Sequence, residues 1–203
     1  MKIAVIGAAG TAGSRIVAEA LSRDHDVMAI GPTGEKLEKL GATSHIVGGL
    51  AQPAELALSL DDREVVVSAV RFLRYTPSDL LSLARGLPGK RLVVVGGAGS
   101  LRIAGNGRLL DSPSFPEAAR AEASAGVKVL EALQAEPDID WTMLCPSALF
   151  SPGERTGGYR IGGDDLLVGE DGQSRISMED YAIALVDELK RGAYRRRRFT
   201  VGY

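Results

Sequence analysis

The chain has 203 residues, 45% of them apolar and 25% charged, enough for one globular domain with a sizeable core. Lys and Arg total 24 against 26 Asp and Glu, and the formal charge of -2 excludes whole-chain attraction to nucleic acid or to an anionic membrane surface. Cys145 is the single cysteine, so no intramolecular disulfide forms, and with only His25 and His45 beside it there is no zinc constellation and no metal site to assign.

Lys2 to Ile6 is a short β-branched apolar run that reads as a strand. Glycines follow, and then Ile16, Val17, Ala20 and Leu21 recur at helical spacing. This opening looks superficially like an export leader, but it is punctuated by glycine and runs on into an amphipathic segment; a cytoplasmic location is expected. Further continuous apolar runs come at Val27 to Ile30, His45 to Val47, Val65 to Val70, Leu92 to Val95 and Trp141 to Leu144. Such runs mark strands buried on both faces. Helix start signals lie between or after them: Thr76 with Pro77 and Asp79, Ser114 with Glu117, and Ser177 with Asp180. The alternation predicts an α/β fold, a doubly wound parallel sheet in a single domain spanning 1–203. Beyond Pro146 the pattern loosens around Gly153, Gly157, Gly158, Gly162 and Gly163 before a helix near Met178 to Arg191 and a strand near Phe199 to Gly202. The segment 151–176 is expected to cover the crevice at the strand ends, with Gly153 to Gly163 as a movable lid.

Gly7-Ala8-Ala9-Gly10-Thr11-Ala12-Gly13 stands between the first strand and the first helix. A pyrophosphate needs a sharp turn after the strand, bare backbone to approach, and helix N–H groups aimed at its charge; Gly7 serves the turn, Gly10 the approach and Gly13 the packing of helix on strand. A carboxylate at the end of the second strand would hold the adenosine ribose, and an Arg there would accept a 2′-phosphate. Asp24 and Asp26 precede that strand, while Gly31, Pro32 and Thr33 follow it, with Lys36 and Arg15 as candidate phosphate partners. NADH and NADPH both remain open on this reading, with a lean to NADPH.

These residues resemble the atypical short-chain dehydrogenase/reductase superfamily, and within it the small NAD(P)H-binding NADH-flavin reductases related to biliverdin reductase B. The likeness also covers Val95-Gly-Gly-Ala-Gly-Ser-Leu101, Asp140 to Phe150, Pro152 to Gly157 and Leu166 to Ser174. The resemblance implies a Rossmann fold with nicotinamide near Ala69 and Val70, Gly96 and Gly97, and Pro146-Ser147-Ala148. It also implies adenosine near Pro32, Thr33, Gly49 and Leu50, where the superfamily's usual Arg and Asp are replaced by Gly31 and Gly49. The superfamily's catalytic Tyr-x-x-x-Lys pair is absent: Tyr75 is followed four residues on by Asp79, Tyr159 by Gly163, Tyr181 by Leu185 and Tyr194 by Arg198, and Tyr203 is last.

Ser100 falls close to the superfamily's catalytic serine and is the candidate catalytic residue, with an orienting hydrogen bond as its role. Cys145 and Trp141 read as core, Phe150 as a pocket wall able to stack on a flat ligand, and Asp61 to Glu64 as a solvated loop. Lys190 to Arg198 holds six cations in nine residues and reads as a solvated helix end rather than a nucleic-acid patch. The expected function is hydride transfer from NADH or NADPH to a flavin, quinone or similar planar acceptor, the flavin being substrate rather than resident cofactor. A non-catalytic NAD(P)-binding redox sensor is the alternative. A nucleotide-sugar epimerase or dehydratase comes third, because it needs the missing base. No nucleic-acid or membrane partner is expected, and the chain is expected to act as a monomer or homodimer.

Overall fold

A computed structural model describes residues 1–105 and 107–203. Ten strands run in chain order: β1 (Lys2–Ile6), β2 (Asp26–Gly31), β3 (Ser44–Val47), β4 (Val65–Ser68), β5 (Arg91–Val95), β6 (Trp141–Pro146), β7 (Leu149–Ser151), β8 (Arg160–Gly162), β9 (Arg175–Ser177) and β10 (Arg197–Gly202). The α-helices are α1 (Thr11–Leu21), α2 (Gly34–Glu38), α3 (Pro53–Leu58), α4 (Pro77–Arg85), α5 (Glu117–Gln134) and α6 (Met178–Arg191). Eight strands make one sheet in the order β3-β2-β1-β4-β5-β6-β10-β8, parallel throughout except where β8 runs antiparallel to β10. The order reverses between β1 and β4, which is the switch point where a doubly wound sheet opens its crevice.

Alternation along each strand sends side chains into two cores. Ala4, Ile6, Val66, Leu92, Val94 and Met143 meet α3, α4 and α5 through residues such as Leu56, Leu83 and Leu130. Ile3, Val5, Val67, Val93, Leu144 and Phe199 meet α1 and α6 through Ile16, Val17, Leu185 and Val186. Trp141 is 2% exposed and Cys145 fully buried, both in the first core; burial pushes the Cys145 thiol up to about 11.

Two of the three expected helix caps form: Thr76 accepts from the Asp79 N–H in a reciprocal box, and Ser177 accepts from the Asp180 N–H. The third does not. Pro116 occupies the cap position of α5 and Ser114 bonds Ser112 instead, because proline enters the helix better than a serine two residues earlier can reach it. The glycine-rich segment also contains three short strands, β7, β8 and β9, that no apolar periodicity announced. Two expectations of solvation fail at single residues, Arg63 and Arg198, while Asp61, Asp62, Glu64 and the other five cations are exposed as expected. Arg63 is only 6% exposed, paired with Asp62 and with Asp26 at 3.1 Å. Within the cation run, Arg195 pairs with Asp140, Arg196 donates to the Pro137 carbonyl, and Arg198 is largely buried.

Candidate dinucleotide site

The loop after β1 is built from backbone. Gly7 has φ +80°, and its N–H and that of Ala8 both donate to the Ile30 carbonyl, at 2.8 and 3.0 Å. A Cβ on Gly7 would stand 2.7 Å from the Ala69 carbonyl oxygen, and one on Gly13 only 2.2 Å from that of Gly7. These two glycines therefore press the ends of β1 and β4 against the first turn of α1. Gly10 is exposed and caps α1 without a side chain, its own N–H donating to Gly7 O at 2.9 Å. Among the described α-helices, α1 is the one whose first turn has neither a side-chain cap nor an acidic residue. The free N–H groups of Thr11, Ala12 and Gly13 and the positive end of the helix dipole thus face the crevice mouth uncompensated. The half-exposed Ala9 lines the same loop.

The other expected contacts fall around this loop unevenly. Ala69 donates to the Ile6 carbonyl at 2.8 Å, so Ala69 and Val70 begin the turn beside Gly7. Pro32 and Thr33 are exposed at the end of β2, and the Thr33 hydroxyl makes no cap bond to α2. Gly49 has open space around it, whereas Leu50 is buried in the core below. Asp26 opens β2 at the opposite end of the strand and serves Arg63. Gly96 donates to Leu144 O at 2.8 Å and has no room for a Cβ, while the neighbouring Gly97 is more open.

Several side chains are spent elsewhere. Ser147 is fully buried, and both its N–H and hydroxyl donate to the Val201 carbonyl, so it locks β6 to β10 and presents no hydroxyl to a ligand. Pro146 ends β6 as a buried residue, and Ala148 is exposed with its N–H on the Ser174 hydroxyl. Arg15 donates to Glu179 and to Thr11 O, which removes it as a phosphate partner, while Lys36 is exposed on α2. The Phe150 ring packs 4.7 Å from Tyr181 and is partnered within the second core. Ser100 is 7% exposed, and its hydroxyl has one weak contact, Cys145 Sγ at 4.0 Å. Arg71, which sequence reasoning passed over, follows Val70 and is exposed 3.5 Å from Glu122. Its signal was a cation directly after the apolar run Val65 to Val70.

The expected lid is not free to roof this crevice. Gly153 N–H donates to Glu179, Arg155 pairs with Glu19 at 2.9 Å, Thr156 and Gly157 N–H both donate to Asp180 at 2.8 Å, and Tyr159 donates to Asp187 at 2.9 Å. Glu19 lies eight residues along α1 from Thr11, about 12 Å down the helix at its usual rise. Residues 153–159 are therefore a strap along α1 and α6 that leads away from the strand ends. Burial works against ionisation of Asp180, but bonds from the Thr156 side chain, Gly157 N–H and Tyr203 phenol hold its carboxyl below the usual range. Two other parts of 151–176 lie against the strand-end turns: Arg102 N–H donates to Asp164 O and Leu166 N–H to Arg102 O, and Ser174 takes the N–H groups of Ala148 and Leu149 after β6.

A model of an NAD(P)H-binding family matches residues 7–190. The chain belongs to that family. It is 40% identical to a Burkholderia pseudomallei protein provisionally named as exported, with a TM-score of 0.89 and full coverage of both chains. It is 38% identical to a Streptococcus pneumoniae protein provisionally named an NADH-flavin reductase, TM-score 0.88, covering 100% of this chain and 99% of that one. It is 37% identical to a Bacteroides thetaiotaomicron protein provisionally named an epimerase, TM-score 0.90, covering 100% and 96%. A nicotinamide dinucleotide fits the cradle described above: glycine where a Cβ would collide, and a bare helix end where the pyrophosphate charge would lie. No described helix is long and apolar enough to cross a membrane.

Proposed function

We propose that the chain is a cytoplasmic NAD(P)H-dependent reductase of a flavin, quinone or similar planar acceptor. The observation that carries this reading is the uncapped, acid-free N-terminus of α1 set on a loop that only glycine can form. When bound, the dinucleotide supplies a hydride. The chain's part is to anchor the pyrophosphate on the N–H groups of Thr11, Ala12 and Gly13 and to hold the nicotinamide end between Ala69–Val70 and Gly96–Gly97. Such positioning by itself supplies much of a rate.

The residues around the crevice also suit an acceptor that needs no acid. Tyr159, Tyr181 and Tyr203 spend their hydroxyls on Asp187, the Leu144 carbonyl, and Ser177 with Asp180. The Tyr75 hydroxyl is buried without a partner, and burial raises its pKa well above the ordinary phenol value, so it is no ready proton donor. A flat conjugated ring spreads the arriving negative charge over its own heteroatoms, whereas a ketone leaves a localised alkoxide that needs a donor beside it. The turn that ends β2, Gly31-Pro32-Thr33, carries no carboxylate, and the first one beyond it, Glu35, is paired with Lys39 while Lys36 stands exposed beside it, which favours NADPH over NADH.

The test is to titrate NADH and NADPH separately by fluorescence and then follow their oxidation with free flavin, a quinone and a simple ketone. Turnover with the planar acceptors and little with the ketone is expected. Tyr75→Phe should retain turnover, and Ser100→Ala should lose about threefold, as befits an orienting contact. Tight dinucleotide binding with no turnover on any acceptor would instead assign the redox-sensing role, and a Tyr→Phe change that abolishes turnover while leaving binding intact would overturn the acid-free mechanism.

A further inference from the structure

Arg198 stands on β10 in register with Met143, and its side chain is 11% exposed. A guanidinium so far out of water is costly unless its donors are met. Here they are met by two distant segments. Nη1 donates to the Ser100 carbonyl at 2.5 Å, Nε to Asp164 Oδ1 at 2.7 Å, and Nη2 to the Asp164 carbonyl at 3.5 Å. One side chain therefore ties the turn after β5 to the loop 163–168.

That turn has little stiffness of its own. Gly96, Gly97 and Gly99 precede Ser100, and two of them must be glycine: a Cβ on Gly96 would meet Leu144 O at 2.8 Å, and one on Gly99 would meet Ala123 Cβ at 2.9 Å. Glycine gives the backbone the most freedom to lose. Arg198 holds the Ser100 peptide by its carbonyl and leaves the hydroxyl uncommitted, with only Cys145 Sγ at 4.0 Å for company. A buried hydroxyl with so weak a partner is an unspent donor. Arg102, by contrast, docks the same loop through an exposed pair with Asp165 at 2.9 Å and makes no side-chain bond to Ser100.

We propose that Arg198 is a positioning residue: it clamps the Ser100 turn and the 163–168 loop together, and so aims the Ser100 hydroxyl at the acceptor side of the crevice. This rests on the reductase reading for its kinetic arm and on the geometry alone for its structural arm. Misplacing a group forfeits what it contributes, so the loss of the clamp is expected to cost up to about threefold in kcat, the loss that removal of the Ser100 hydroxyl brings. Arg198→Ala should show that drop with the NAD(P)H Kd within about twofold of wild type, and Arg198→Lys should recover part of it. Because the effect passes through Ser100, the Ser100→Ala/Arg198→Ala double variant should be no slower than the slower single variant. Arg102→Ala should stay within about twofold in kcat, since an exposed pair contributes little.

Hydrogen exchange on Arg198→Ala should quicken together at 97–102 and 163–168, and nowhere in β1 to β4. If the variant does not fold, Asp164→Ala, which removes the acceptor of Arg198 Nε and so releases one arm of the clamp, carries the same cycle and the same exchange measurement. Additive losses in the double variant, or faster exchange in one segment only or in neither, overturn the proposal. Should wild type turn over no acceptor, the reductase reading fails by itself, and the exchange pattern still decides the clamp.

Discussion

The loop 7–13 and the strap 153–159 are both rich in glycine, yet they are held by opposite means. The loop is backbone against backbone: Gly7 and Gly13 sit where any Cβ would strike a carbonyl, and Gly10 leaves a helix end bare. The strap is backbone and cation against carboxylate, with Glu19, Glu179, Asp180 and Asp187 each taking a bond from it. Glycine in the first region is a steric requirement, so it creates a ligand cradle. In the second, Gly157 has open space and a positive φ of +74°, so its glycine permits a bend while the carboxylates do the holding.

The largest effect should come from breaking the steric half. Gly13→Ala places a Cβ 2.2 Å from Gly7 O and should lose about 3 kcal/mol or more, read by denaturant unfolding. Near-wild-type stability would show that the loop can shift to admit a side chain. Gly10→Val meets only Gly7 O at 3.1 Å, so the chain should fold while NAD(P)H affinity falls about tenfold or more. Unchanged affinity in that folded variant would remove the pyrophosphate from this loop.

The strap should break differently, without touching dinucleotide affinity. Asp180→Ala leaves Thr156 N–H, Thr156 Oγ1, Gly157 N–H and the Tyr203 phenol without their shared acceptor and should cost about 2 kcal/mol. Protease cleavage within 153–159 and an unaltered NAD(P)H Kd are the paired readouts; a weakened Kd would tie the strap to the cofactor after all. Acid should do the same reversibly. Against burial, which raises them, bonds to the strap and to Arg15 or Arg23 hold the carboxyls of Glu19, Glu179, Asp180 and Asp187 below their ordinary values. Their stabilisation is therefore complete above about pH 5, past the ordinary values, and is lost as pH falls through the lowered ones. Cleavage in the strap at about pH 3 should outpace that at neutrality under a protease active at both; equal rates would mean that the carboxylates do not hold it. Arg155→Ala should be the mildest, below about 1 kcal/mol, because that side chain is 58% exposed and Glu19 keeps Arg23.

Legibility followed the same division. Strands β1, β2, β4, β5 and β6 are short apolar runs whose burial is written in composition, whereas β3, read the same way, alternates half-buried and exposed at the sheet edge; Thr76 and Ser177 are caps that need only residues three positions away. The partner of the Ser147 hydroxyl was not legible, because a serine after a strand can face either the crevice or the neighbouring strand, and the register of β10 beside β6 turns it to Val201. Phe150 was read as a pocket wall able to stack on a flat ligand, and its partner Tyr181 comes 31 residues later in the chain. Among the cations from Lys190 to Arg198, Arg198 departs from the solvated reading because Asp164, which takes it up, is remote in sequence.

By itself, the sequence determined the doubly wound α/β class, the glycine cradle between β1 and α1, and the absence of a Tyr-x-x-x-Lys pair. All three depend on periodicity, on local spacing, or on which residue types are present at all. Only the tertiary structure decided that 153–159 is strapped to α1 and α6, that Ser147 locks two strands, and that Arg198 reaches Ser100. Those outcomes turn on which of many exposed-looking carboxylates, carbonyls and cations come within about 3 Å of one another, and that distance is set by the packing of segments far apart in the chain.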